Sequence, residues 1–422
     1  MTATANSSIT SAGHAPAING SAVPAPFAER MSGLRAVRDL LAEDPTRIIE
    51  LLTEISTYRA TTYEIEAAIE TLDGAAEEIA RYRPTRVTTV AVFMPSNVIL
   101  YSYVLYLLVP SLFAERLLFR PSSQVHEQTL ALHRLLAPVH GLAIEPRPVS
   151  QRAFMRDSVA PADVVVFTGT YQNAEAIRPQ LSPDQLFLYL GAGINPFIIL
   201  PSADLDAATR DAVQIRLLNS GQDCLAPDVF FVPSRHLDEF IDRLVCELKA
   251  LRYGPYTDPD ADYGPIFYDG ALEASALHLA RNRQQIVYGG NVDFRDRRVE
   301  PSVLVSPFAE KAPVPEFFAP IFNVVEYSDA SVLARTLATG IYAERALGAT
   351  LYGADAEVAE LYDILARKHT VTVNTTLFAI DDGNAPFGGY GPMANYISRG
   401  GRLFPEPVLI SKAVADHIGA SE

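Results

Sequence analysis

The sequence predicts an α/β fold built from two doubly wound parallel-sheet domains. Three observations predict it. Apolar runs of strand length recur along the chain, runs with helical spacing separate them, and several of the apolar runs end in small polar turn residues. Strand, helix, strand is the βαβ unit, whose crossover requires parallel pairing and leaves helices on the faces of the sheet.

Residues 1–24 are rich in Ala, Ser, Thr, Pro and Gly with almost no large apolar side chains, so they are expected to be disordered. From residue 26 to about 81 the period is helical, with Leu34, Val37, Leu40 and Leu41, then Ile65, Ile69, Leu72 and Ile79, spaced for one apolar face. At residues 87–94 the run VTTVAVFM reads as a buried strand that ends at Pro95-Ser96-Asn97. The apolar stretch 98–114 is interrupted by Ser102, Pro110 and Ser111 and is shorter than the ~20 residues that span a bilayer, so it reads as a buried helix. Strands follow at 116–120, 164–167 and 187–190, and a helix at 124–136.

A second α/β region begins near Pro201. Helices are expected at 205–218, 236–251, 270–285, 330–337 and 354–366, and strands at 229–232, 302–305, 322–326, 349–352 and 370–374. The expected organisation is a tail over 1–24, a helical lead-in and nucleotide-binding domain over 25–195, and a catalytic domain over 196–388. Residues 389–422 form a C-terminal return, whose 408–411 segment is expected to pair as a strand across a dimer.

Ligands of such sheets bind beyond the carboxyl ends of the strands. Those ends carry Asn97, Arg120 to Ser123, Thr168-Gly169-Thr170 and Gly191-Ala192-Gly193. No GxGxxG is present, so the usual dinucleotide fingerprint is missing. The net charge of −16 excludes nucleic-acid phosphate and anionic membrane as partners. Two cysteines make no disulfide framework, and no signal peptide is apparent, so a cytoplasmic, reducing compartment is expected. The eight His are scattered without an HxxxH or Cys/His cluster, so no metal site is expected.

The stretch Leu217-Leu218-Asn219-Ser220-Gly221-Gln222-Asp223-Cys224 puts a thiol between a helix and a strand, beside a Gly that admits close backbone approach. A lone Cys is ordinarily a small core hydrophobe. That is the reading taken for Cys246, which sits on an amphipathic helix.

The order of motifs resembles that of the aldehyde dehydrogenase superfamily, over about residues 83–414. Asn219 to Cys224 resembles its nucleophile motif. Pro95-Ser96-Asn97 resembles its Pro-Trp-Asn, with Ser96 for the Trp, and Phe119-Arg120-Pro121-Ser122-Ser123 resembles Leu-Lys-Pro-Ser-Glu. Phe167-Thr168-Gly169-Thr170 resembles Phe-Thr-Gly-Ser, and Glu316-Phe317-Phe318-Ala319-Pro320 resembles Glu-Ile-Phe-Gly-Pro. Asn374 with Pro386-Phe387-Gly388-Gly389-Tyr390-Gly391 resembles the motif that closes the catalytic domain.

The resemblance implies an NAD(P)-dependent oxidoreductase. Cys224 attacks an aldehyde or activated acyl carbon, and Asn97 with the Cys224 N–H steadies the oxyanion, leaving a thioester on sulfur. It assigns Glu316 and Phe318 to the nicotinamide ribose and ring. Gly169 and Thr170 lie near the pyrophosphate, although Ala174 replaces the glycine that usually follows. Arg120 stands where the family has Lys, and Ser123 where many members carry a ribose-binding Glu. A guanidinium in place of a carboxylate accommodates a 2′-phosphate, so NADP is expected over NAD. The bland reading of Arg120 is an ion pair with a nearby carboxylate.

One departure concerns reaction type. Hydrolytic members place a Glu ahead of Leu-Gly-Gly, but here that position falls on Leu190, or on Tyr189 with a one-residue slip. Neither takes a proton readily near neutrality, Tyr having a pKa of about 10. Members that pass the acyl group to coenzyme A or reduce an acyl donor also lack that Glu. The favoured expectation is therefore acyl transfer or reduction, with coenzyme A or acyl carrier protein as acyl partner. A hydrolytic enzyme with a substitute base and a non-catalytic binding subunit are the alternatives. A homodimer is expected, since residues 81–87 leave little room for the hairpin used in larger assemblies.

Overall fold

The computed structural model describes residues 25–309, 316 and 318–418; the tail expected over 1–24 and Phe317 of the Glu316 motif lie outside them. Two seven-stranded sheets organise the chain. In the first, strands run in the order Arg402–Phe404, Asn395–Arg399, Leu186–Leu190, Val164–Thr168, Val87–Phe93, Ala114–Arg120, Ile144–Pro146. The last five pair in parallel, and the two C-terminal strands add antiparallel at one edge. Val90, Ala91, Val92, Val164, Val165 and Val166 are fully buried, as expected of central strands covered by helices on both faces.

The second sheet runs Thr370–Val373, Gly348–Tyr352, Pro196–Ile199, Val229–Pro233, Ile321–Tyr327, Ser302–Pro307, Ile286–Tyr288, parallel except for the last strand. The chain passes between the sheets through residues 191–195. This crossing is close: Gly191 N–H donates to Ala394 O (2.8 Å), Ile194 N–H donates to Arg345 O (2.8 Å), and a Cβ on Gly193 would stand 2.3 Å from Leu347 Cβ.

The lead-in is helical as expected, Ala25–Glu43, Thr46–Leu52 and Tyr58–Tyr82. The last begins at Thr57, whose side chain caps it by accepting Ala60 N–H, and ends at Arg83 in left-handed conformation. The apolar stretch after Asn97 is buried but not one α-helix. It runs as Ile99–Tyr103, a π turn Val104–Leu108 and a 3₁₀ turn Pro110–Leu112, the π turn carrying the chain up to Pro110. Among the described residues, no helix is long and apolar enough to cross a membrane.

Two expectations fail. The 408–411 segment is not a strand: Val408 makes a single bridge to Phe387, and Ile410–Ile418 is a helix whose Ile410, Ala413 and Val414 are buried. Its apolar residues serve a 3.6-residue period rather than a ladder, so the expected dimer loses that support. Cys246 is exposed on the helix Leu237–Ala250, because Phe240, Leu244 and Leu248 take its core stripe.

Candidate active site

The helix Leu205–Leu217 stops at a loop of unusual backbone. Asn219 (φ 48°) and Ser220 (φ 58°) are both left-handed without being glycine, and Gly221 follows at φ 80°. Such residues cost free energy and persist only where the surroundings over-determine them. Here they do. Asn219 Oδ1 accepts Thr57 N–H (3.1 Å), Ser220 Oγ accepts Gly264 N–H (2.8 Å), and Gln222 Oε1 accepts Phe267 N–H (2.7 Å). A Cβ on Gly221 would stand 2.5 Å from Ala319 O, so this position needs glycine for both φ and space. Fully buried Arg216 donates to Ala319 O (2.6 Å) and Pro227 O (3.0 Å), tying the Phe318 turn to the far side of the same loop.

The peptide after Cys224 is held at both ends. Asn195 Nδ2 donates to the Cys224 carbonyl (2.7 Å), and Asp223 Oδ1 accepts the Leu225 N–H (2.8 Å). Cys224 itself is half-buried against the cluster of Ile215, Leu225, Leu347, Leu377 and Ala394, on which Phe378 and Phe387 also pack. Burial pushes its thiol up well above the usual range, and the carboxylates of Asp223, Asp381 and Glu316 push the same way. That upward shift keeps the resting sulfur a thiol rather than a thiolate near neutrality. Burial also raises Asp223 to about 6, against the Leu225 N–H bond that lowers it. Asp381 rises to about 6 through burial and the Asp223 charge, opposed by hydroxyl bonds from Tyr63 and Tyr101.

Asn97 is half-buried at the turn that follows Val87–Phe93, and Val98 beyond it is left-handed (φ 45°). The preceding carbonyl, Ser96 O, accepts the Tyr268 hydroxyl (2.7 Å), and the Tyr268 ring lies 6.5 Å from that of Phe318. The helix after Asn97 begins on Glu64, whose Oε1 accepts Leu100 N–H (2.6 Å) and Tyr101 N–H (3.0 Å). Farther along, burial raises the Tyr106 phenol, and a charge on Cys224, were its thiol to ionise, is close enough to add to the rise. The turn that carries Asn97 is thus linked to Phe318 through Tyr268, and the π turn that follows it brings Tyr106 near Cys224.

The remaining residues expected at a cofactor lie at the ends of the first sheet's strands. Gly169 and Thr170 are exposed after Val164–Thr168, and the Thr170 side chain caps Tyr171–Ile177 by accepting Asn173 N–H (3.4 Å). Arg120 Nε donates to Val149 O (3.0 Å), a carbonyl rather than the carboxylate of the bland reading. Ser123 is exposed in the turn beyond it. Glu316, by contrast, is engaged: Arg345 Nη2 donates to its Oε2 (2.5 Å). Burial raises the Glu316 carboxyl and the guanidinium opposes it.

At the position expected of a general base, Leu190 is buried at the end of its strand. The Tyr189 hydroxyl donates to Met393 O (3.1 Å), and burial raises its phenol further from neutrality. Asn195, Asp381 and Arg345 escaped the sequence reading, since each acts on a partner that only the tertiary fold brings near. Among the described residues no group of three metal-ligating side chains occurs.

A sequence profile described as the aldehyde dehydrogenase family matches residues 149–395. The chain is 29% identical over 243 residues to 4,4'-diapolycopene-4,4'-dial dehydrogenase of Cytobacillus firmus, covering 56% of this chain and 51% of that protein. It is 34% identical over 205 residues to succinate-semialdehyde dehydrogenase [NADP(+)] of Mycobacterium leprae, covering 46% and 43%. It therefore spans about half the length of these curated relatives. Among solved structures, an NADP dependent enzyme of E. coli superposes with a TM-score of 0.80 at 22% identity, covering 94% of this chain and 86% of that one. Succinic semialdehyde dehydrogenase of Streptococcus pyogenes, solved with NADP+, gives 0.79 at 16% identity, covering 92% and 88%. At such identities the structures establish the fold, two parallel-rich sheets in the same arrangement.

Proposed function

The chain belongs to the aldehyde dehydrogenase family, and from that premise we propose that it is an NAD(P)-dependent oxidoreductase interconverting an aldehyde and an acyl derivative through a thioester on Cys224. We further propose that the acyl group is exchanged with a thiol, such as coenzyme A or the pantetheine arm of an acyl carrier protein, rather than released by water. What supports this is Leu190: counting along the sequence puts the base position there, and the residue is a buried aliphatic side chain. Tyr189 does not replace it, because its hydroxyl is spent on Met393 O.

In this reading the Asn97 amide and the Cys224 N–H stabilise the oxyanion of the tetrahedral intermediate, and the bonds from Asn195 and to Asp223 hold the adjacent peptide in one orientation. The dinucleotide, when bound, supplies the hydride acceptor or donor. The residues present fit it. Gly169 and Thr170 are exposed at a strand end, and Phe318 is adjacent to the Asn97 turn through Tyr268. Among the described residues Arg120 forms no ion pair with a carboxylate, its Nε donating to Val149 O, and Ser123 carries no charge to repel a phosphate, which favours NADP. Glu316 meets the ribose only by sharing its carboxylate with Arg345. A cytoplasmic homodimer is part of the proposal, and sedimentation of the purified chain checks the dimer.

The test offers the protein NADPH or NADH with acyl-coenzyme A, acyl-carrier-protein and acyl-phosphate donors, and separately aldehydes with oxidised cofactor. Aldehyde formation from an acyl thioester, faster with NADPH, is expected. Steady carboxylate production from aldehyde with no acyl acceptor present selects the hydrolytic reading.

A further inference from the structure

We propose that Asp381 exchanges a proton with the Cys224 thiol, standing in for the carboxylate missing at Leu190, and is therefore a catalytic residue of this chain. The inference rests on Cys224 being the nucleophile. Asp381 follows the short turn Leu377–Ile380. Its side chain lines a cavity together with Leu225, Leu347, Leu377, Ile380 and Phe387. Cys224 packs against the buried cluster of Ile215, Leu225, Leu347, Leu377 and Ala394, and Leu225, Leu347 and Leu377 of that cluster also line this cavity, so thiol and carboxylate border on the same three side chains.

The other carboxylates near the sulfur are already committed. Asp223 is buried and its Oδ1 holds the Leu225 N–H. Glu316 is paired with Arg345. Glu64, which faces Asp223, holds two N–H groups at the start of the helix behind Asn97. Asp381 is bonded by hydroxyls, with Tyr63 Oη donating to Oδ2 at 3.3 Å and Tyr101 on the same side, and it opens onto the cavity. The remaining groups facing the pair are Tyr106 and Asp382. Burial and the surrounding carboxylates keep the sulfur protonated, so a resting thiol needs an acceptor, and its neighbours offer carboxylate oxygen.

The step balances without a further reactant beyond an acyl thioester. The Cys224 S–C bond forms as the donor's C–S bond breaks, and the sulfhydryl proton passes to a carboxylate oxygen of Asp381, directly or through one water. It then passes to the departing thiolate, and nothing is oxidised or reduced in this exchange. Near neutrality a carboxyl raised to about 6 is mostly ionised yet less reluctant to take a proton than an ordinary one.

The experiment compares two rates on the full chain with no cofactor present, each followed by mass spectrometry of the Cys224 peptide. One is acylation by acetyl-coenzyme A at pH 7, the other alkylation by iodoacetamide. Removing a charge that merely repels the thiolate speeds both. Removing a proton acceptor slows acylation, on the order of 100-fold, while alkylation stays level or rises. The proposal therefore expects D381N to split the two rates and D381E to restore acylation in part. D381N acylating as fast as the unaltered protein overturns it. Should D381N slow both, D381E decides: alkylation restored with acylation still lost also overturns it. No acyl adduct on Cys224 in the unaltered protein, from any donor, overturns the proposed function itself and Asp381 with it.

Discussion

Asn195 holds three backbone groups with one buried amide: its Nδ2 donates to the Cys224 carbonyl and its Oδ1 accepts the Gly348 N–H at 3.0 Å, with a longer bond from Nδ2 to Ala226 O at 3.4 Å. The residue lies at the crossing between the two sheets, where its own N–H donates to Asp228 Oδ2 (3.0 Å). The Cys224 backbone is therefore registered against both the crossing and the strand Gly348–Tyr352. Asn195→Ala leaves those groups buried and unpaired, at a cost of about 2–4 kcal/mol. Chemical denaturation is expected to show that loss, with kcat falling more than KM changes, because the oxyanion donor rather than the ground-state pocket is disturbed.

Asp223 lies next to the thiol in sequence, and its charge adds to burial in holding the sulfur protonated. Asp223→Asn keeps an acceptor for the Leu225 N–H and removes the charge. Its thiol should ionise at lower pH, so the midpoint of the alkylation profile against pH moves down. An unmoved midpoint means that the Asp223 charge does not help to set the thiol.

Glu64 makes stability fall with rising pH. Burial raises its carboxyl to about 7, above the unfolded value of about 4.3, so the folded state binds the extra proton. Its contribution is complete below the unfolded value and is lost as pH rises through about 7. Glu64→Gln retains an acceptor for Leu100 and Tyr101 and removes the titration. It should be more stable than the unaltered protein at pH 8, by on the order of 2 kcal/mol, and show no gain at pH 4. Thermal melts across that range provide the check.

Leu190→Glu restores the carboxylate that hydrolytic relatives carry at the strand end. The variant should release carboxylic acid from aldehyde and oxidised cofactor in the absence of coenzyme A, at a rate at least ~10-fold above the parent. It should also be less stable, since a buried aliphatic side chain becomes an ionisable one.

Much of this architecture is legible in the sequence because the central strands are apolar on both faces, as at Val90-Ala91-Val92 and Val164-Val165-Val166, and need no partner to be recognised. Less regular elements escape. Ile144–Pro146 is a short edge strand with one buried residue, and Pro196–Ile199 opens on a proline that reads as a turn. At 408–411 a branched apolar run has the composition of a strand but packs as the start of a helix. The same division holds at the site. Cys224 and Asn97 stand in recognisable local motifs, and the lack of a carboxylate at Leu190 follows from counting. Asp381 and Arg345 lie more than a hundred residues from Cys224, and nothing local marks them. Whether Glu316 is free or ion-paired is a property of the fold, not of its own motif.

The lifetime of the acyl-enzyme tests the central claim most directly. The Cys224 thioester is formed from an acyl donor, freed of excess donor, and followed by intact mass in buffer alone and with added coenzyme A. The account predicts an adduct that persists in buffer and is discharged by the thiol. Loss of the adduct to carboxylic acid in buffer, as fast as the enzyme turns over, would contradict it.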